Sequence, residues 1–304
     1  MSAAITTPEV RAELADLDAR TISGRAKKRL TSPWASFFAI VIAILWTLPT
    51  FGLLLSSFRP EIDIKTTGWW TAFTNPVFTL ENYDEVLTGA GAELATYFVN
   101  SVVITIPSVI IPLTIASLAA YGFAWMRFPF RDTIFVAVFA LQIVPLQIAL
   151  IPLLQLYVRG GVNGTFWAIW LSHSIFALPL AIFLLHNFMK EVPRELIEAA
   201  RVDGAGHVTI FVRIMLPLVM PAIAAFGIFQ FLWVWNDLLV GLVFGSAQET
   251  APLTVRLAEL VGNRGGDWHL LSAGAFVSMV VPVLVFLAMQ RYFVRGLLAG
   301  SVKG

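Results

Sequence analysis

Six long apolar stretches alternate with polar ones along this chain. With histidine counted as neutral, no charged residue falls within Trp34–Phe58, Phe98–Met126, Thr133–Val158, Gly160–Met189, Ile214–Asn236 or Trp268–Gln290. The fifth stretch continues in apolar character past Asp237 to Phe244. Each exceeds the roughly 20 residues a helix needs to cross about 30 Å of hydrocarbon. None alternates as a barrel strand does, and only helices and closed barrels satisfy their backbone groups inside lipid. The pattern therefore predicts an all-α membrane protein with six transmembrane helices, and six crossings put both termini on one side. Residues 1–32 form a polar N-terminal tail, mostly without structure, with a short helix over Pro8–Arg20. Residues 33–295 form the membrane domain, and 296–304 a short C-terminal tail.

The polar segments decide the orientation. If the N-terminus lies inside, the inner segments carry fifteen of the 20 Lys and Arg. These are Arg11, Arg20, Arg25, Lys27, Lys28 and Arg29 in the first; Arg127 and Arg131; Lys190, Arg194, Arg201 and Arg213; and Arg291, Arg295 and Lys303 at the end. The outer segments keep Arg59, Lys65, Arg159, Arg256 and Arg264. Basic residues accumulate on the cytoplasmic side of membrane proteins, so both termini and the 190–213 loop are predicted to be cytoplasmic. The first outer segment, Arg59 to Tyr97, reads as a long polar loop. The apolar run from Trp34 is too long for a cleavable signal core and reads as a retained span.

The most polar of these segments, KEVPRELIEAARVDGAGHVTIFVRIMLP from Lys190 to Pro217, contains a helix of its own. Pro193 suits a first helical turn, and Glu195 and Glu198 lie near the positive end of the helix dipole. Leu196, Ala199, Ala200 and Asp203 share a face by three- and four-residue spacing, which makes that face apolar and small. Gly204 and Gly206 end it. A short loop helix with a small-residue face admits close approach by another surface.

Composition narrows the chemistry. Charged residues are 13% of the chain and hydrophobic ones 58%, against roughly 25% charged in soluble domains. There are no cysteines, which excludes a thiol nucleophile and a cysteine metal site. No GxxxxGK[ST] run is present, so no ATP site is expected, and the four histidines lack metal-ligand spacing. No catalytic residue and no metal ligand emerges, and nothing suggests nucleic acid. Asn236 and Asp237, after Trp233 and Trp235, are the polar exception inside an apolar run. A carboxylate there costs roughly 2.5–3.5 kcal/mol at a helix centre, so it must face water or a polar partner. Two readings stand: a sugar path, with carboxylate on hydroxyl and indole on the sugar face, or a helix cap flanked by interfacial tryptophans. Gln142, Gln147, Gln155 and Asn100 either line such a path or bridge helices. Ala116, Ala120 and Ala124 form a ridge for close packing, and prolines such as Pro107, Pro145 and Pro221 predict kinks.

Glu198-Ala199-Ala200, then Gly204, Ile214 and Leu216-Pro217 at fixed spacing, resemble the signature loop of bacterial ABC importer permeases. The tail QRYFVRGLLAGSVKG and the runs FQFLWVWNDLLV and GGDWHLLSAGAF are similar to the maltose-type carbohydrate-uptake permeases, and within them to the α-glucoside branch. The resemblance covers roughly Pro33 to Gly304. It implies the type I importer permease fold, and a chain that is not an enzyme and binds no cofactor, ATP and Mg being held by the partner. The partners implied are a second permease subunit, a dimer of ATP-binding subunits and an extracytoplasmic sugar-binding protein, in a bacterial inner membrane. It implies that Glu198, Ala199, Ala200, Asp203, Gly204 and Ala205 couple to the ATPase, and that Arg295, Gly300 and Lys303 of the tail contact it. Thr254, Arg256, Glu259, Asn263 and Arg264 would then face the binding protein. The solute would be a di- or oligosaccharide such as maltose, sucrose or trehalose. The competing reading is a self-contained ion-coupled carrier or channel, for which Asp237 is the one good ion site.

Overall fold

A computed structural model describes residues 33–89, 93–245, 247–261 and 266–299, with backbone alone at 261 and 291–299. The described residues are helical, without strands. Five helices are long and apolar enough to cross a membrane: α1 (Pro33–Ser57), α4 (Leu94–Trp125), α7 (Phe166–Lys190), the segment His207–Trp235, and α13 (Trp268–Ala299), apolar to Gln290. The third apolar run supplies a sixth span only as a bent pair. Its halves, α5 (Arg131–Ala140, with a 3-10 turn to Ile143) and α6 (Leu146–Arg159), meet at 102°. Pro145 stands at the corner. It lacks an N–H and biases Val144 to extended backbone, observed at φ −72°, ψ 117°.

The centre of the bundle is the pair α4 and α7. Ala116, Ala120 and Ala181 are fully buried, and their missing side-chain bulk is what lets the two backbones come together. Two indole hydrogen bonds tie the pair at its ends: Trp125 Nε1 donates to the Met189 carbonyl at 3.0 Å, and Trp170 Nε1 to the Val103 carbonyl at 3.0 Å. The segment His207–Trp235 packs across both. It comprises α9 (His207–Ile210), a π turn (Phe211–Met215) and α10 (Leu216–Trp235). In the turn the Leu216 N–H reaches the Phe211 carbonyl, five residues back, directly before Pro217 and its missing donor.

Several expectations change. The segment Arg59 to Tyr97 is not a polar loop. It folds into α2 (Glu61–Thr66), a 3-10 turn (Trp69–Phe73) and α3 (Glu81–Thr88), and α4 starts at Leu94 rather than Phe98. Arg59 is 3% exposed. Its guanidinium donates to the Gly68 and Asp63 carbonyls and to the Thr67 and Thr71 hydroxyls, so it closes the lobe instead of facing water. Asn82, equally buried, donates to the Ser57 carbonyl at 3.0 Å and the Arg59 carbonyl at 2.8 Å. Charge spacing alone cannot separate a solvated loop from a lobe closed around its own backbone carbonyls. The fifth run does not continue unbroken to Phe244. α10 ends at Trp235, and α11 (Leu239–Phe244) starts after a break. The last helix runs on to Ala299, into the segment expected as tail; Gly300, Lys303 and residues 1–32 lie outside the described residues.

The folded lobe packs against α12 (Leu253–Val261), the start of α4 and the start of α13. Val86, Leu94, Leu253 and Ala273 are buried together there. Asn82→Leu keeps the volume and removes both donated bonds, leaving two buried carbonyls at about 1–3 kcal/mol each. We expect faster amide exchange over residues 57–88 with the α4–α7 interface unchanged. Unaltered exchange in the lobe would show that other contacts suffice.

Candidate functional site

The polar loop is built as a rigid mount. Its helix, α8 (Arg194–Val202), inserts Ile197, 1% exposed, into the cluster that holds Met189, Ile210, Met215 and the small-residue ridge of α4. The helix ends in a Schellman turn. The Ala205 N–H bonds to the Ala200 carbonyl at 2.9 Å and the Gly204 N–H to the Arg201 carbonyl at 3.0 Å. Gly204 has φ +82°, and a Cβ there meets nothing within 4 Å. Conformation, not space, thus requires the glycine. Ala200 and Ala205 pack on the same cluster, which gives the turn its hydrophobic contact. Beyond the turn, His207 Nδ1 and the Tyr121 hydroxyl lie 3.0 Å apart, tying the loop to α4.

This mounting leaves the opposite face of α8 in the open. Leu196, Glu198, Ala199, Val202 and Asp203 are all exposed, and Val208 beside them is 78% exposed. The predicted coupling residues therefore fall into two sets. Glu198, Ala199 and Asp203 face outward, whereas Ala200, Gly204 and Ala205 form the turn that fixes the helix. The anchor, Ile197, was not singled out from the sequence. Leu196–Ala199–Ala200 and Ile197–Ala200 are both apolar at helical spacing, so the helix alone cannot reveal which side is inward.

A second site lies in the elbow between α5 and α6. A cavity of about 460 Å³ opens there, closed on the other sides by α7 and α10. Gln142, Gln147 and Trp233 line it, together with His173 and Gln230. Trp235, Asn236 and Asp237 do not line it. Trp235 is 3% exposed, stacks on Phe231 and donates its indole N–H to the Ser278 carbonyl at 3.1 Å. Asn236 turns back to the Leu232 carbonyl at 2.8 Å. The carboxylate of Asp237 accepts the Val240 and Gly241 N–H groups at 2.9 and 3.1 Å, so it caps α11. It also stands 3.9 Å from His173 Nε2, behind the cavity wall. Asn100 bridges helices, donating to the Ala251 carbonyl at 3.1 Å.

The far-end residues divide as well. Thr254 donates its hydroxyl to the Asp237 carbonyl at 2.5 Å, and Arg256 pairs with Glu259 at 2.8 Å while lying over the Tyr97 ring. Asn263 and Arg264 lie outside the described residues, and for Arg295 only the backbone is described. Among the described residues no group of three or more His, Asp or Glu is arranged to hold a metal ion.

Residues 92–298, which include the mounted loop and the elbow, match the family described as binding-protein-dependent transport system inner membrane component. The chain belongs to that family. It is a permease component of ABC importers and not an enzyme. The permease is 54% identical over 269 residues to the osmoprotective compounds uptake permease protein GgtD of Synechocystis sp., covering 87% of this chain and 90% of that protein. It is 54% identical over 259 residues to the alpha-glucoside transport system permease protein AglG of Rhizobium meliloti, covering 83% of this chain and 67% of that one. Its fold matches a chain in the crystal structure of a bacterial ABC transporter that imports alginate, with a TM-score of 0.73 over 90% of this permease and 98% of that chain, at 18% identity.

Gly204→Ala forces a left-handed residue with a side chain, at about 1–2 kcal/mol, whereas asparagine tolerates that conformation better. We expect faster amide exchange at residues 202–206 in Gly204→Ala than in Gly204→Asn, with membrane insertion unchanged. Equal exchange in the two variants would mean that the turn is held by its packing rather than by its backbone conformation.

Proposed function

We propose that this permease is one half of the membrane pathway of an ATP-driven importer for a di- or oligosaccharide of the α-glucoside class, such as maltose, sucrose or trehalose. The observation that carries the coupling is the mount of α8. Its inward face is locked to α4, α7 and α9, and its outward face offers Leu196, Glu198, Ala199 and Asp203. A push on that face moves the helices it is packed on as a unit, because close-packed interiors transmit displacement rather than absorb it. An ATP-binding subunit that draws α8 with it would therefore tilt the pathway without contacting it. ATP and Mg stay on that subunit.

The names of the 54% identical relatives support the solute class, one being an alpha-glucoside permease and the other a permease for osmoprotective compounds. The excess of basic residues on loops of one side supports a cytoplasmic α8 and cytoplasmic termini in the bacterial inner membrane. On that reading Arg295, Gly300 and Lys303 lie toward the ATP-binding dimer. Thr254, Arg256, Glu259, Asn263 and Arg264 face an extracytoplasmic sugar-binding protein, and a second permease subunit completes the pathway. The carrier alternative loses support, because the Asp237 carboxylate is engaged in capping α11.

Glu198→Lys reverses a charge on the outward face without touching the anchored one. We expect uptake to fall at least tenfold while the chain stays in the membrane and the ATP-binding subunit no longer copurifies in mild detergent. Normal uptake by this variant would sink the coupling role of α8. Sugar uptake by the purified chain alone, without ATP, would favour the carrier.

A further inference from the structure

The broken third span has a physical cost that the cavity beside it explains. A right-angle bend between Ile143 and Leu146 releases the last carbonyls of the first half-helix and the first N–H groups of the second from intrahelical bonding. Within a membrane such irregular backbone persists only where protein buries it or where it lines a polar cavity. The bend divides the run into segments of 13 and 14 residues, so it falls midway along it. The cavity opens at this bend.

Its lining has a definite chemistry. Gln142 and Gln147 come from the two sides of the bend, His173 from α7 and Gln230 from α10. Each presents both donor and acceptor capacity, as hydroxyl groups require. His173 and Gln230 are 2% and 3% exposed and form the wall nearest the core. The Gln230 amide N–H reaches the Ser108 carbonyl at 3.4 Å, which orients the side chain. Trp233 and Phe229, both about half exposed, supply flat apolar faces. Among the described residues no Asp, Glu, Lys or Arg lines the space, so a charged solute finds no counterion from them. At about 460 Å³ the cavity falls within the 300–1,000 Å³ usual for small-molecule sites.

The geometry points to a saccharide subsite belonging to this chain itself, in the elbow of the third span. Gln142, Gln147, His173 and Gln230 read the hydroxyls, and Trp233 with Phe229 packs against a sugar ring. Asp237, which caps α11, is not a ligand of the sugar. The subsite rests on the reading above that the solute is a neutral saccharide. It adds that part of the discrimination among sugars is made by this permease.

The chain's lack of cysteine allows a direct test. The whole importer, reconstituted in liposomes with its ATP-binding subunits and binding protein, is supplied with radiolabelled maltose, sucrose and trehalose. Failure of the unsubstituted importer to take up any of the three with ATP overturns the α-glucoside reading, and this subsite with it, before any variant is made. Given uptake, Gln147→Leu, Gln230→Leu and Trp233→Leu are compared. We expect the ratio of rates among the sugars to change at least fivefold, while each variant still assembles with its ATP-binding subunits. Independently, Ala149→Cys, on the cavity wall, reacts with a small maleimide, and the transported sugar slows that reaction at least threefold. Unchanged sugar ratios in all three variants together with unprotected labelling would overturn the subsite and leave the importer reading standing. A cysteine at 149 that never reacts in the assembled complex would show a partner's side chain or lipid filling the cavity, and would overturn it equally.

Discussion

Inside hydrocarbon a peptide group has no water to bond, and every other feature of this permease is arranged around that fact. It is why the apolar runs are helical, and why the places where a helix fails carry information. Three such places stand out among the described residues, and each comes with its compensation. At Pro145 the chain turns through 102° beside a cavity. Before Pro217 the helix widens into a π turn, so that the Leu216 N–H finds the Phe211 carbonyl. After Trp235 the helix stops, and the Asp237 carboxylate takes the N–H groups that open α11. Interruption without compensation would cost several kcal/mol per group.

The same economy governs the mounted loop that carries α8. A loop helix held only by its two chain ends would yield when pulled. This one is held by a buried isoleucine, a capped C-terminus and a bond from Tyr121 to His207. The fixed residues of the signature thus serve two purposes. Ala200, Gly204 and Ala205 shape the attachment, and Glu198, Ala199 and Asp203 lie exposed on the other face.

Much of this was legible in the sequence, and the limits are instructive. The number of apolar runs, the loop helix and its glycine stop follow from length, spacing and backbone preference. The 102° bend did not, because a proline in an apolar run permits anything from a slight kink to a corner, and the neighbours decide. Asp237 illustrates the opposite case. The cap was one of two readings, and only the distances to Val240 and Gly241 choose between them. Gln142, Gln147 and Trp233 share a cavity with His173 and Gln230, yet the set is spread over about 90 positions and four elements. No local pattern joins them. Arg59 and Asn82 were hidden by the ordinary expectation that polar residues between spans are solvated.

The first helix leans chiefly on the last. α1 buries only Gly52 and Ser57, and apart from Trp69, which covers Gly52, its neighbour in the bundle is α13. Some 210 residues separate Ser57 from Trp268. At the 5–20 residues per second of protein synthesis, about 10–40 s pass between the emergence of the two helices. During that interval α1 waits in the bilayer with its flank against lipid, pinned at one end by the lobe that follows it, and the bundle closes only when the C-terminal helix arrives. Within this chain, α1 therefore gains its bundle neighbour only once the last span has been made.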